Sequence, residues 1–189
     1  MLKPRALRKC DVKECRKEFR PRSSLEKWCS PTCAVKLARE IQQKQARKRK
    51  AEGRFKLRTR REWIKLAQFA FNRYIRIRDD ALPCVSCGRL HQGQWHAGHY
   101  LSTGARPELR FEPDNVHKQC QPCNTHLSGN IALYRAELCR RIGVARVEEL
   151  EADQAPRKYT VDDLIEIESR YKRLAKELQN SREQQSACP

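Results

Sequence analysis

The sequence predicts a helix-rich α+β fold in which metal sites, rather than one large apolar core, hold small modules together. Three observations predict it. Hydrophobic residues make up 39% of the 189-residue chain and charged residues 34%, low and high respectively for an ordinary domain. Eight of the ten cysteines fall into four close pairs, and small cores are commonly stapled by metal. Apolar residues recur at helical spacing over two long stretches, after Thr59 and after Thr160.

The densest signal lies in residues 84–124. It begins Cys84-Val-Ser-Cys87-Gly88, continues through Trp95-His96-Ala97-Gly98-His99-Tyr100, and closes with Asn115-Val-His117-Lys-Gln-Cys120-Gln-Pro-Cys123-Asn124. Two Cys-x-x-Cys pairs supply Cys84, Cys87, Cys120 and Cys123, a tetrahedral thiolate shell that suits zinc. A second set, Cys10, Cys15, Cys29 and Cys33, is spaced more loosely but reads as another zinc site. Its minimal core is expected from Phe19, Leu25 and Trp28. Cys139 reads as a small buried residue and Cys188 as a terminal free thiol.

Charge bounds the partner. Lys and Arg total 41 against 23 acids, a net of +18, and two zinc–tetrathiolate sites would lower this to about +14. Residues 1–60 hold 21 Lys/Arg and six acids, a net of +15, whereas the remainder carries +3. A polyanion, above all nucleic acid, is the expected partner. No stretch approaches membrane-spanning length and no signal-like apolar run opens the chain, so a cytoplasmic protein without a membrane partner is expected.

In order, residues 1–36 form an N-terminal zinc module and 37–58 a basic helix or linker. Arg47, Lys48, Arg49 and Lys50 on that linker are candidate DNA-backbone contacts. Residues 59–150 form the central core with a docking helix. Thr59-Arg-Arg-Glu62 is a capping box, and Trp63, Ala67, Ala70, Tyr74 and Ile77 share the inner face of the helix it opens, which ends near Arg78. Leu82-Pro83 breaks that helix. A short hairpin is expected over Arg89–His96, turning near Gly93, followed by a loop over 101–113 whose Arg106 and Arg110 could meet phosphate. Cys120 enters a short helix, and another spans Leu133 to about Arg141, ending at Gly143. The last segments are a C-terminal helix within 151–180, capped by Thr160, and a disordered tail over 181–189.

The chemistry that fits the central stretch is phosphodiester cleavage. His99 can be a general base, since its pKa lies near neutrality. Asn124, pinned beside Cys123, can ligate one hard divalent ion, Mg²⁺ or Mn²⁺. Asn115 can hold the intervening loop through backbone hydrogen bonds.

This order of Cys-x-x-Cys, His, Asn and Cys-x-x-Cys-Asn resembles the HNH, or ββα-metal, nucleases, especially the zinc-stapled subgroup. Across nearly the whole chain the sequence more closely resembles the lambda NinG (Rap) recombination protein family. The segments that carry this are Trp28-Cys-Ser-Pro-Thr-Cys33, Leu82-Pro-Cys-Val-Ser-Cys-Gly88, Ala97-Gly-His-Tyr100, Leu109-Arg-Phe111, His117-Lys-Gln-Cys120 and Ser128-Gly-Asn130. The resemblance implies a zinc-stapled, HNH-like core and structure-selective nicking of branched DNA, such as Holliday junctions and D-loops. It further implies a phage-encoded protein acting in bacterial cytoplasm, alongside other recombination proteins. Symmetric junction resolution would suit a homodimer. One position departs from the HNH pattern: Gly98 stands where an Asp usually ligates the metal. His96 is the nearest replacement and would favour a softer ion such as Mn²⁺. The same departure keeps open a non-catalytic, double-zinc adaptor that binds branched DNA. A transcription regulator fits less well, because no recognition helix stands out.

Overall fold

The computed structural model describes residues 5–152 and 155–186, with only the backbone described at 185 and 186. The chain divides into two compact units, residues 1–58 and 59–189.

In the first unit, strand β1 (Arg8–Lys9) pairs antiparallel with β2 (Glu18–Phe19). Cys10 continues the same register, its amide donating across to the Lys17 carbonyl at 2.8 Å, and residues 11–15 then make the turn. Helix α1 (Pro31–Lys56) starts with Ser30, whose hydroxyl accepts from the Cys33 amide, and with proline in its first turn, both strong start signals. Cys10, Val12 and Cys33 are buried, and Phe19, Trp28 and Leu37 pack against them. Leu25 does not join this core. It is 79% exposed, and the sequence expectation is corrected there: the cysteine cluster leaves room for little apolar filling. Past Leu37, α1 has no buried residue, as befits a helix that is polar all round.

The second unit is built on α2 (Arg60–Arg78). Its capping box forms: Thr59 accepts from the Glu62 amide at 3.3 Å, and Glu62 accepts from the Thr59 amide at 2.8 Å. The inner face of α2 buries Trp63, Ala67, Ala70, Phe71 and Ile75. Against it pack α5 (Val161–Ser186), through Leu164 and Tyr171, and the central hairpin, through Val116. Aromatic edges join the layers, with Phe71 4.7 Å from Tyr171 and 5.8 Å from Phe111 between ring centres. Such pairs add about 1 kcal/mol each beyond burial. Helix α5 starts at the expected cap, Thr160 exchanging hydrogen bonds with Asp163. It runs to Ser186, so the expected disorder from residue 181 is corrected. Residues 187–189, with Cys188, lie outside the described residues.

The hairpin differs from its sequence reading. Strand β3 (Trp95–His99) pairs antiparallel with β4 (Val116–Cys120), Trp95 opposite Cys120 and His99 opposite Val116. Residues 89–94 form no strand. The turn signal at Gly93 is real as a bend, but the partner strand lies beyond a loop of 100–115, where local patterning cannot indicate it. A single helical turn (Pro122–His126) follows β4, and then α3 (Ile131–Ile142) and α4 (Val144–Glu151). Helix α4 was not expected, because Gly143 reads as a stop. Its φ of +86° lets the chain turn sharply and restart at once. Tyr134, Leu138, Val147 and Leu150 form a second core with Val85, Tyr100 and Leu109.

Candidate metal centre

Each cysteine set converges, and either group of four sulfurs could hold one metal ion. Cys15 and Cys29 sulfurs lie 3.4 Å apart, Cys29 and Cys33 3.7 Å, and Cys87 and Cys120 3.9 Å. A zinc–sulfur bond of about 2.3 Å in a tetrahedron implies sulfur separations of roughly 3.8 Å. A disulfide needs about 2 Å. The cysteines among the described residues are free. In the central group, Cys84 and Cys87 lie on a turn closed by Gly88, whose amide donates to the Cys84 carbonyl at 2.9 Å. Cys120 ends β4, and Cys123 sits on the helical turn. The metal group thus ties the turn before the hairpin to the segment after it. His91 Nε2 lies 3.2 Å from Cys87 Sγ, a contact just outside the four thiols that spacing did not suggest.

Beside this group the hairpin presents two faces. Opposed residues of an antiparallel pair share a face, and successive residues alternate. His96, Gly98, His117 and Gln119 therefore share one face, and Trp95, Ala97, His99, Val116 and Lys118 the other. Asn124, next to Cys123, reaches the first face and lies 2.8 Å from His96 Nδ1 through Nδ2. His96 and Asn124 line a cavity of about 490 Å³ with Asn72 and Arg76 of α2. His99 is not among its lining residues. Its Nε2 meets the Arg110 carbonyl at 3.0 Å. A carbonyl only accepts, so Nε2 carries the proton and Nδ1 keeps a lone pair. Burial lowers the His99 pKa below its ordinary value, with the Arg110 charge adding to the shift and the carbonyl bond opposing it.

Gly98 has a steric reason. A Cβ there would fall 2.0 Å from Gln119 Oε1 and 3.0 Å from Asn124 Oδ1. The space that an Asp side chain would need at this position is filled by the Gln119 carboxamide. That carboxamide is fully buried, and its Nε2 donates to Ser86 Oγ and to the Gly129 carbonyl, each at 2.6 Å. The carbonyl can only accept, so the amide cannot be reversed. Oε1 then faces Gly98 and has no hydrogen-bond partner.

Asn115 sits at the root of the loop. Its Oδ1 accepts from the Leu101 amide at 2.9 Å, and its Nδ2 donates to the Leu101 and Leu109 carbonyls. The buried side chain clamps both ends of residues 101–109, one step from the Arg110 carbonyl that holds His99.

Comparison with known proteins gives a consistent result. The family model described as bacteriophage lambda NinG protein matches residues 2–183. The chain belongs to the NinG family. It is 42% identical to protein ninG of Escherichia phage lambda over 200 aligned residues, covering 96% of this chain and 98% of the relative. It is 41% identical to protein ninG of Salmonella phage P22, over 94% and 96%, and to that of Escherichia phage 933W, over 96% and 98%. No solved structure matches.

The remaining candidate residues of this NinG-family chain separate by environment. Arg47, Lys48, Arg49 and Lys50 are exposed on α1. Arg106 is instead built into the fold: it pairs with Glu108 and donates to the Glu151 and Ala152 carbonyls at the end of α4. Its expected phosphate contact is corrected on that ground. Arg110 donates to Gln68 Oε1 at 3.2 Å, and Gln68 in turn to Asn72 at 2.8 Å, so a polar chain runs from the His99 carbonyl partner to the cavity wall. His117 is buried, 3.4 Å from the Tyr134 hydroxyl, and His126 is exposed. Gln119 and Arg76 escaped sequence reading. Gln119 gave only a weak signal, a polar residue between Lys118 and the zinc-ligand Cys120.

Proposed function

We propose that this protein is a metal-dependent endonuclease that cuts branched DNA during phage recombination, with zinc in both cysteine groups. The observation that carries the reading is the His96–Asn124 contact of 2.8 Å in the wall of a cavity. It lies on two antiparallel strands followed by a helical turn and pinned by four cysteines. This order of parts supports an HNH-like core. The orphaned Gln119 oxygen supports a specific setting of Asn124. With its amide turned half a revolution, Nδ2 would take the place of Oδ1 on the side of Gly98 and Gln119, and Oδ1 would face the His96 nitrogen. Carboxamide N and O have nearly the same shape, so the turn needs no repacking. One nitrogen and one oxygen then fit a borderline-hard divalent ion, Mn²⁺ or Mg²⁺, and fully buried Gln119 fixes their orientation.

A bound divalent ion would supply charge neutralisation at the scissile phosphate and leaving oxygen. His99 supplies the base. The Arg110 carbonyl holds its Nε2–H, so Nδ1 is the atom that takes a proton from water. Its lowered pKa keeps it neutral at neutral pH. Asn115 holds the loop that delivers that carbonyl. The exposed basic face of α1 adds backbone affinity without sequence preference. Action in the cytoplasm of an infected bacterium, contact with other recombination proteins and pairing as a homodimer complete this reading.

A second reading, a zinc-stapled adaptor that binds branched DNA without cutting it, is favoured by one observation. Strand alternation puts His99 on the face opposite His96 and Asn124. Incubation of a labelled four-way junction with Mn²⁺ or Mg²⁺ decides between the two. Cutting is expected from the wild type, and His99→Ala should lower its rate by ~10²–10⁴-fold with binding nearly unchanged. A wild type that binds junctions but cuts none with either ion leaves the adaptor.

A further inference from the structure

We propose that Arg76 is a phosphate-binding residue that seats the DNA strand at the His96–Asn124 pair, along a cleft between α2, the start of β3 and the end of α5. That the seated strand is the one to be cut rests on the nuclease reading; the phosphate site does not.

Two cavities meet at this point. The 490 Å³ cavity that holds His96 and Asn124 shares Arg76 and Trp95 with a second one, of about 610 Å³, lined also by Arg73, Lys118 and Arg182. The first lies beside the candidate metal ligands, and the second runs past three further cations. Two acids, Asp80 and Glu183, also line it, so cations outnumber acids by four to two.

Most of these cations already have partners. Arg73 donates to Gln179 at 2.9 Å, and Arg182 pairs with Asp80 at 3.3 Å. Lys118 donates to the Asp80 carbonyl at 2.6 Å and lies 4.3 Å from the centre of the Trp95 ring. Arg76 is different. Among the described residues it makes no hydrogen bond and no ion pair, although it is only partly exposed. Partial burial and the neighbouring Arg73 charge both push its pKa down, which means that both disfavour its charge. An uncompensated, partly desolvated guanidinium costs free energy that an anion would offset.

The anion that fits is a phosphodiester. A guanidinium presents a planar fork matched to two phosphate oxygens. Arg73 and Arg76, three residues apart, lie on the same side of α2, so consecutive phosphates along a strand can meet both. Arg76 also borders the cavity of His96 and Asn124, so its phosphate would lie beside a metal held there.

Full-length zinc-loaded protein, assayed with a four-way junction without added Mg²⁺ or Mn²⁺, tests this. Arg76→Gln keeps the stem and removes the charge; Arg76→Lys keeps the charge. For Arg76→Gln, the slope of log affinity against log salt should fall by about 1, so the variant loses roughly 3–4-fold less affinity than wild type between 50 and 200 mM salt. Arg76→Lys should keep the wild-type slope. Arg76→Gln protein with wild-type zinc content and an unchanged slope would overturn the proposal. So would two variants that fail to fold, since Arg76 would then be a structural cation. A wild type that cuts no junction once Mn²⁺ or Mg²⁺ is added, combined with the expected slopes, removes the nuclease reading and leaves the phosphate site standing.

Discussion

Gly98 shows how one residue's chemistry depends on another across a strand. The sequence shows a glycine where the HNH pattern that it resembles has a metal-ligating Asp, and nothing local explains it. The explanation is the Gln119 carboxamide, locked by two hydrogen bonds into the space that a side chain would need. Gly98→Ala must displace it, and should destabilise the central unit by ~1–3 kcal/mol, as overpacked sites do. Pairing it with Gln119→Ala should recover part of that loss. Denaturant titration of the two single variants and the double checks this; strictly additive losses would mean that the two groups do not compete for space. Asn115 is the opposite case. Its loop-holding role was legible, because a buried Asn beside a loop has few other uses. Arg106 was misread, since only the fold brings the end of α4 over it. His117 carries a pH dependence. Burial, then the Arg78 charge, push its pKa down to about 4, against an unfolded value near 6.5. The unfolded chain therefore takes the proton first. The contribution is complete above about pH 6.5 and is lost as pH falls towards 4, a change of up to ~3 kcal/mol. Unfolding measured between pH 4 and 7 should show a shallower fall for His117→Phe than for wild type; equal slopes would exclude the ring as the source.

Among the elements, those with local signals were legible. The capping boxes at Thr59 and Thr160 start α2 and α5 where the side chains dictate, and the apolar stripe of α2 faces the core. The central hairpin was not legible, because its strands are joined by 16 residues and pair through contacts that no local pattern encodes. Helix α4 was missed for its eight-residue length and its start at Gly143. The cysteine groups lie between these cases, with their spacing legible and their convergence supplied by the fold. Metal analysis should find about two zinc ions per chain, and Cys120→Ser should lose one of them together with the β3–β4 pairing, since structural zinc binding is folding free energy. One zinc in the fully reduced wild type would remove one of the two centres; circular dichroism unchanged in Cys120→Ser would separate the hairpin from its metal.

At the scale of the whole molecule, charge and chemistry are unequally placed. The first unit carries most of the net positive charge and a long exposed helix, features that suit the DNA affinity proposed for it. The second unit carries His96, Asn124, His99 and the cleft of Arg76. We propose that His96 and Asn124 hold the divalent ion on which strand cutting depends. The most direct measurement is the rate of junction cutting, at saturating protein, against Mn²⁺ concentration for wild type and Asn124→Ala. Loss of one ligand should move the half-maximal Mn²⁺ concentration upward by ~10-fold or more, with the rate partly recovered at high Mn²⁺. Two superimposable curves, with both proteins cutting, would place the metal elsewhere and contradict the claim.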